Sequence, residues 1–354
     1  MRRAFSGFSS SSRAEYRLNL FLAFFLFPHV TEIVASAPGK VILFGEHFVV
    51  EGQPAVAAAI SLRARVSAKP LESPVIRVTS KNLGLSEAFE LGKLEPRSPL
   101  YPVAYAASLA LREVEAGGGV ELLIDSDIAP GAGMGSSAAV AVAAVAAASA
   151  AWGHVLPREQ VSKLAFEAEK IVHGKPSGID NTIAAYGGAI AYRKGEGFLK
   201  LKVDFSPVAL VLADTGKPRR TGELVQKVLN LKAAFPQVLD PLYYAAGRLV
   251  VEAAKMMERG DFEAVGTLMN VNHGLLHAIG VSTLEIEQLV YRARQAGALG
   301  AKLTGAGGGG FIVALCWREA LQSVVQALSE LSPRVLTVGI DTEGVKVERI
   351  REKS

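Results

Sequence analysis

One cysteine, Cys316, occurs in 354 residues. That scarcity excludes an internal disulfide and any multi-cysteine metal site, and it suits a reducing compartment such as the cytoplasm. Placed in Phe311-Ile-Val-Ala-Leu-Cys316, it reads as a small buried apolar residue. No block of lysines and arginines with interleaved aromatics is present, so nucleic-acid binding has no support. The net charge of +4 is mild for this length and favours anionic substrates only weakly. No G-x-x-x-x-G-K-[ST] string occurs, which removes the Walker A loop. The apolar run Leu18 to Phe27 is too short for a membrane span, which takes roughly 20 residues. It follows Arg2 and Arg3 as in a signal peptide, yet no small-residue cleavage site comes after it. Residues 1–31 are therefore expected to be a disordered extension or a start-site artefact, with the folded pattern opening near Glu32.

What is present is a soluble globular composition, half hydrophobic and one-fifth charged, long enough for two domains. The chain is organised around Pro130-Gly-Ala-Gly-Met-Gly-Ser-Ser137 and the alanine-dominated run from Ala138 to Trp152. Alternate glycines permit backbone shapes that a side chain forbids, and the alanines favour helix. The stretch predicts a glycine-rich turn feeding a helix N-terminus, with Ser136 and Ser137 at the cap. Unpaired N–H groups and the positive end of the helix dipole make such a place a site for phosphate. The plainer alternative is a tight turn and a capped structural helix.

In chain order, strand character begins at Ile33, turns at Pro38-Gly39 and continues to Val50. After a turn at 52–54, strands are expected at 55–60 and 63–68, a helix at 101–115 and a strand at 120–125. A helix at 158–172 leads into a loop at 175–181, and strands follow at 188–192 and 198–203. The domain border is expected there, giving an N-terminal domain at 32–204 and a C-terminal domain at 205–354. The second half mixes a strand at 208–213, helices at 221–231, 241–258, 261–272 and 283–296, a glycine run at 304–310, a strand at 311–315, a helix to about 331 and strands through 347. That is an α+β pattern without a short repeat.

Four clusters carry chemistry. Lys40, just after a turn on a strand, can reach a cleft; the ordinary reading is a solvated edge-strand lysine. Glu46 and His47 follow it closely. The Ser137 hydroxyl can join the oxygen shell of a hard cation. Glu169 and Asp180 lie eleven positions apart, one on a helix and one in a Gly/Pro-shaped loop. Phosphoryl transfer uses one carboxylate to hold a metal ion and one to orient or deprotonate the acceptor hydroxyl. The ordinary readings are a solvated helix face for Glu169 and a helix N-cap for Asp180. Gly305, Gly307 and Gly310 satisfy G-x-G-x-x-G, but a strand follows instead of a helix, so a dinucleotide fold is not expected. A flexible loop closing over phosphate and a structural bend both remain open. His273 and His277 have zinc-like i, i+4 spacing, but no third ligand is evident.

In order, Pro38-Gly-Lys-Val-Ile-Leu-Phe-Gly-Glu-His47, Pro130 to Ala138 and Lys302-Leu-Thr-Gly-Ala-Gly-Gly-Gly-Gly310 resemble the three signatures of the GHMP small-molecule kinases. Glu169-Lys-Ile-Val-His-Gly-Lys-Pro-Ser-Gly-Ile-Asp-Asn181 and Gly45 to Gly52 resemble the branch of that family acting on mevalonate. One departure is Phe44, where many relatives carry another residue. The resemblance implies an α+β fold of two domains: a ribosomal-protein-S5-like N-terminal domain and a ferredoxin-like C-terminal domain, with the active site in the cleft between them. ATP would lie on Pro130, Gly131, Ala132, Gly133, Met134, Gly135, Ser136, Ser137 and Ala138, with Ser126 nearby. Mg²⁺ would be held by Ser137 and Glu169. Asp180 matches the catalytic base and Lys40 the lysine beside it. Lys40, Glu46, His47, Asp180, Arg219 and Thr221 would meet the small-molecule acceptor. The resemblance also implies a homodimer in the cytoplasm with no membrane or nucleic-acid partner. A sister kinase for phosphomevalonate or a sugar, and a binding protein without turnover, are the competing readings.

Overall fold

The computed structural model describes residues 30–129, 131–173, 176–218 and 221–351. Apart from Val30 and Thr31, the expected N-terminal extension lies outside the described residues, as do Pro130 and Arg219. Among the described residues the strands form two sheets.

The first sheet is built on two long antiparallel strands, β1 (Val30–Phe44) and β2 (Ala55–Leu71). The expected turn at Pro38-Gly39 is instead a register shift within β1, which runs straight on. A bulge absorbs the proline while leaving the strand paired on both sides of it. The far half of β2 pairs with β5 (Gly119–Ser126), and β5 runs parallel to β3 (Val75–Ser80), which carries β4 (Leu85–Glu90) at the edge. The near half of β2 pairs with β6 (Ala189–Arg193), which pairs with β7 (Gly197–Leu201). The final strand, β12 (Lys346–Arg351), returns from the far end of the chain and pairs with β1.

Three helices pack on this sheet, α1 (Tyr101–Glu113), α2 (Ser136–Ala151) and α4 (Ile179–Tyr186), and a further helix, α3 (Arg158–His173), packs on those three. The alanine run becomes α2, which touches β1, β2, α1, α3 and α4. A helix enclosed on all sides needs apolar side chains all round, and alanine lets each neighbour approach closely. Twelve of its residues are buried.

The second sheet is antiparallel in the order β11 (Val335–Val338), β8 (Val208–Asp214), β10 (Phe311–Trp317), β9 (Gly300–Leu303). Helices α5 (Thr221–Ala234), α6 (Pro236–Arg259), α7 (Phe262–Ala278), α8 (Leu284–Gln295) and α9 (Leu321–Ser329) complete this half. Helix α6 starts five residues before the expected Pro241. Pro236 opens it, where a missing N–H costs nothing, and Pro241 sits at an exposed position one turn on. The loop expected through residue 181 already turns into α4 at Ile179, and β3, β4 and β9 were not anticipated. A buried Arg63 ties the returning segment to the first sheet: it pairs with Asp341 and donates to the carbonyls of Ser36 and Gly344 at 2.8 and 2.7 Å.

Candidate active site

Between the two halves lies a cavity of about 930 Å³. The floor is set by a close approach of β1 to the glycine loop. A Cβ on Gly39 would meet the Met134 carbonyl at 2.8 Å, and the Lys40 N–H donates to that same carbonyl at 2.8 Å. Gly135, at φ +69°, lies against the Lys40 side chain, where a Cβ would meet Cγ at 3.0 Å. Glycine at 39 and 135 is what lets the loop rest directly on the lysine.

Gly135 is also the N-cap of α2 and provides no side-chain cap. This corrects the expectation that Ser136 and Ser137 cap the helix: they are its first two residues, and Ser136 Oγ is 3.4 Å from the Ile128 carbonyl. The helix entry with Gly131, Gly133, Gly135, Ser136 and Ser137 therefore lines the cavity without an internal cap, in the arrangement that receives an anion. Ala132, Met134 and Ala138 turn their side chains into the core, so only their main chain is left for a ligand. Ser126 lines the same cavity, and its hydroxyl closes a turn with Ile128, donating to the carbonyl at 3.2 Å and accepting the N–H at 3.1 Å.

Lys40 is not a solvated edge lysine. It is buried, and Nζ lies 3.2 Å from Asp180 Oδ1, with the carboxylate about one-third open to the cavity. Asp180 stands in the first turn of α4, two residues past its N-cap Gly178 at φ +86°. That turn is fixed from several sides. Thr182 Oγ1 donates to the Gly178 carbonyl at 2.7 Å, and the Tyr192 hydroxyl donates to the Ser177 carbonyl. Asn181 Nδ2 donates to Ser162 Oγ at 2.8 Å, tying α4 to α3.

Glu169 is not on a solvated face either. At 3% exposure it lines the cavity from α3 and accepts no hydrogen bond among the described residues. Burial first, and the Asp180 charge second, push its pKa up to about 8 against the opposing pull of Lys40. One ammonium thus faces two carboxyl groups, one of which burial keeps protonated, and a divalent cation would let both ionise.

Glu46, His47 and Thr221, the first residue of α5, also line the cavity, at the end where the acceptor is expected. The Glu46 carboxylate turns away into a buried pair with Lys302, which sequence reasoning did not assign. His47 Nε2 donates to the Ala306 carbonyl at 2.8 Å, and burial lowers the ring's pKa. The glycine run is packed more tightly than a free flap. Gly307 lies against the Val281 carbonyl, Gly308 against Leu224 and Gly309 against Lys217, while Gly305 and Ala306 reach the cavity. His273 and His277 share Glu287, at 3.0 and 2.9 Å. The buried His273 keeps its Nδ1 as acceptor for the Leu303 N–H, and burial brings its pKa down to about 4. Among the described residues no group of three or more His, Cys, Asp or Glu side chains is arranged to hold a metal ion.

Family models for the GHMP kinases match this chain twice, the N-terminal domain model at 102–189 and the C-terminal model at 252–333. The mevalonate kinase of Aeropyrum pernix is 42% identical over 318 residues, covering 89% of this chain and 98% of that protein. This chain belongs to the GHMP kinase family. As a GHMP kinase it is also 42% identical to the mevalonate kinase of Thermococcus sibiricus over 333 residues, covering 90% of this chain and 99% of that one. Among solved structures it resembles L. major mevalonate kinase in complex with R-mevalonate, at 33% identity and TM-score 0.73, covering 87% of this chain and 95% of that chain. The Methanococcus jannaschii mevalonate kinase matches at 27% identity and TM-score 0.77, covering 87% and 98% of the two chains. The α+β architecture of two domains with a cleft is that of the family.

Proposed function

We propose that this enzyme transfers the γ-phosphoryl group of ATP to the C5 hydroxyl of (R)-mevalonate, giving 5-phosphomevalonate for isoprenoid synthesis. The observation that carries the reading is the Lys40–Asp180 pair, held at 3.2 Å in the cavity that the uncapped entry of α2 also lines. The relatives named above, at about 40% identity over nearly the whole chain, support mevalonate as the acceptor.

In the reaction, a bond forms from the acceptor oxygen to Pγ and the bond from Pγ to the β–γ bridging oxygen breaks. The alcohol proton passes to Asp180, and ADP leaves with the electron pair. A loose transition state demands little early deprotonation, so Asp180 acts mainly by orienting the hydroxyl. Lys40 steadies Asp180 and offsets charge building on the transferred group. The loop at Gly131–Ser137 and the dipole of α2 hold the phosphates; Ala132, Met134 and Ala138 contribute main chain to the same cradle, with Ser126 at its edge. Buried, unbonded Glu169 and the Ser137 hydroxyl are hard oxygen donors and would hold Mg²⁺. When bound, Mg²⁺ supplies charge neutralisation for the phosphates. Glu46, His47, Arg219 and Thr221 belong to the acceptor side of this reading.

The domain division at 32–204 and 205–354 is part of the proposal, with the qualification that β12 pairs into the first sheet. So are the homodimer, which light scattering tests, and a cytoplasmic location. Among the described residues no helix is long and apolar enough to cross a membrane. The deciding experiment is a coupled ADP-release assay with Mg-ATP against mevalonate, phosphomevalonate, homoserine and galactose. Turnover with mevalonate alone is expected; turnover with another acceptor alone would overturn the substrate assignment.

A further inference from the structure

Behind the acceptor side of the cavity, an ion pair with no exposure joins the two halves. Lys302, on β9, has its side chain fully buried and donates Nζ to Glu46 Oε1 and, at 2.6 Å, to the Leu303 carbonyl. The second oxygen of Glu46 accepts from Asn272 Nδ2 at 3.3 Å, and Asn272 Oδ1 accepts the Gly45 N–H at 3.5 Å. Such a pair is weak evidence for stability, because desolvating both charges offsets much of their attraction. Its position points to another use. The residue after Glu46 is His47, at φ +61°, a backbone shape rare for a residue with a side chain. Its imidazole bridges the halves through the Ala306 carbonyl and lines the cavity. The turn holding Glu46 and His47 is gripped by the second half throughout: Phe48 stacks edge-on against Tyr243 with centroids 5.0 Å apart, and Lys232 reaches Glu51 at 2.9 Å.

We propose that Lys302 is a positioning residue for acceptor recognition: by neutralising and anchoring Glu46, it holds His47 with Nε2–H on the Ala306 carbonyl and leaves Nδ1 as the ring's hydrogen-bond acceptor. The proposal rests on the acceptor-side reading of this end of the cavity. Its physics is local. Burial disfavours a charged imidazole, while the neighbouring Glu46 carboxylate favours one. Lys302 cancels that carboxylate. Lys40, Asp180 and Glu169 line the same cavity, and Glu51 at the far end of the turn is already paired with Lys232. Without the Lys302 ammonium, Glu46 would be left as an uncompensated buried charge beside the ring. A protonated imidazole has no lone pair to offer an acceptor hydroxyl.

The test compares the native enzyme with Lys302→Met and with the charge-balanced double variant Glu46→Gln/Lys302→Met, each labelled with ¹⁵N-histidine. The His47 ring signals are assigned by their loss in His47→Gln, and their titration is followed by NMR. Lys302→Met should raise the His47 pKa by about one unit or more. It should also raise KM for the acceptor about tenfold, with KM for ATP within about twofold of native. The double variant should return the His47 titration toward native and keep the raised acceptor KM, because the anchor is still gone. An unchanged His47 titration in folded Lys302→Met would overturn the proposal. So would a double variant with native acceptor KM, and this arm stands even if the single variant fails to fold. Failure of native enzyme to use mevalonate would overturn the substrate assignment, while the NMR arm would still decide the role of Lys302.

Discussion

The enzyme builds two lysine–carboxylate pairs, Lys40 with Asp180 and Lys302 with Glu46, and gives them opposite surroundings. In the first, the carboxylate side chain keeps 30% of its surface open to the cavity, and a second carboxylate, Glu169, shares the same ammonium. In the second, both side chains are sealed, at 0% and 1%, and the remaining carboxylate oxygen is taken by Asn272. An incompletely balanced pair facing a cavity can hand charge and protons to a ligand. A fully satisfied pair can only hold its own backbone in place. Chemical identity of the residues does not separate these roles; solvent access and unspent hydrogen-bonding capacity do.

The largest effect should come from the open pair. Asp180→Asn should lower kcat by about 10²–10⁴-fold, the range general acid–base groups supply, with ATP affinity nearly unchanged by calorimetry. Retained turnover would remove Asp180 from the chemistry and erase the contrast.

The sealed pair should dominate stability instead. Lys302→Met should cost about 3–5 kcal/mol in urea unfolding, because it strands a buried carboxylate. Lys40→Met should cost less, since water reaches Asp180. Equal losses would show that burial does not distinguish the two.

The carboxyl group beside the open pair has a pH signature. The Glu169 pKa is raised to about 8, so the folded protein keeps a proton there that the unfolded chain releases near the ordinary glutamate value of 4.5. Its contribution is therefore greatest on the acid side and is lost as pH rises from about 4.5 through about 8. Melting in the absence of divalent ions should fall across that window, and Glu169→Gln should flatten the slope. A steeper fall in the variant would assign the dependence to another group.

The smallest effect calibrates the comparison. Arg77 and Glu121 pair at 3.0 Å, but both are largely exposed. Arg77→Ala should change unfolding free energy by no more than about 1 kcal/mol. A larger loss would mean that exposure is a poor guide to what an ion pair contributes here.

The helix entry at 131–137, the alanine helix behind it and the carboxylates at 169 and 180 were legible in the sequence, because glycine spacing and helix propensity act over a few neighbouring residues. Local signals also misled. Pro38-Gly39 reads as a turn, yet pairing with β2 on both sides of the register shift holds it within β1 as a bulge. The strand from Val75 to Ser80 does alternate, with Ile76 and Val78 buried and Arg77 exposed between them, but six residues are a weak local signal and its parallel pairing with β5 places it. Position alone favoured a solvated Lys40, and only the packing of the glycine loop over it shows that it is buried.

By itself, then, the sequence determined the order of the motifs, the glycine-rich helix entry and the supply of carboxylates, all set by residues within one or two turns of each other. Tertiary structure decided which charges meet. Lys40 lies 140 positions from Asp180 in the chain (180 − 40). Lys302 lies 256 positions from Glu46, on the other sheet. No local propensity encodes such a distance. It follows from the closure of two sheets and their helices around one cavity, where burial set by the whole fold assigns each lysine its partner.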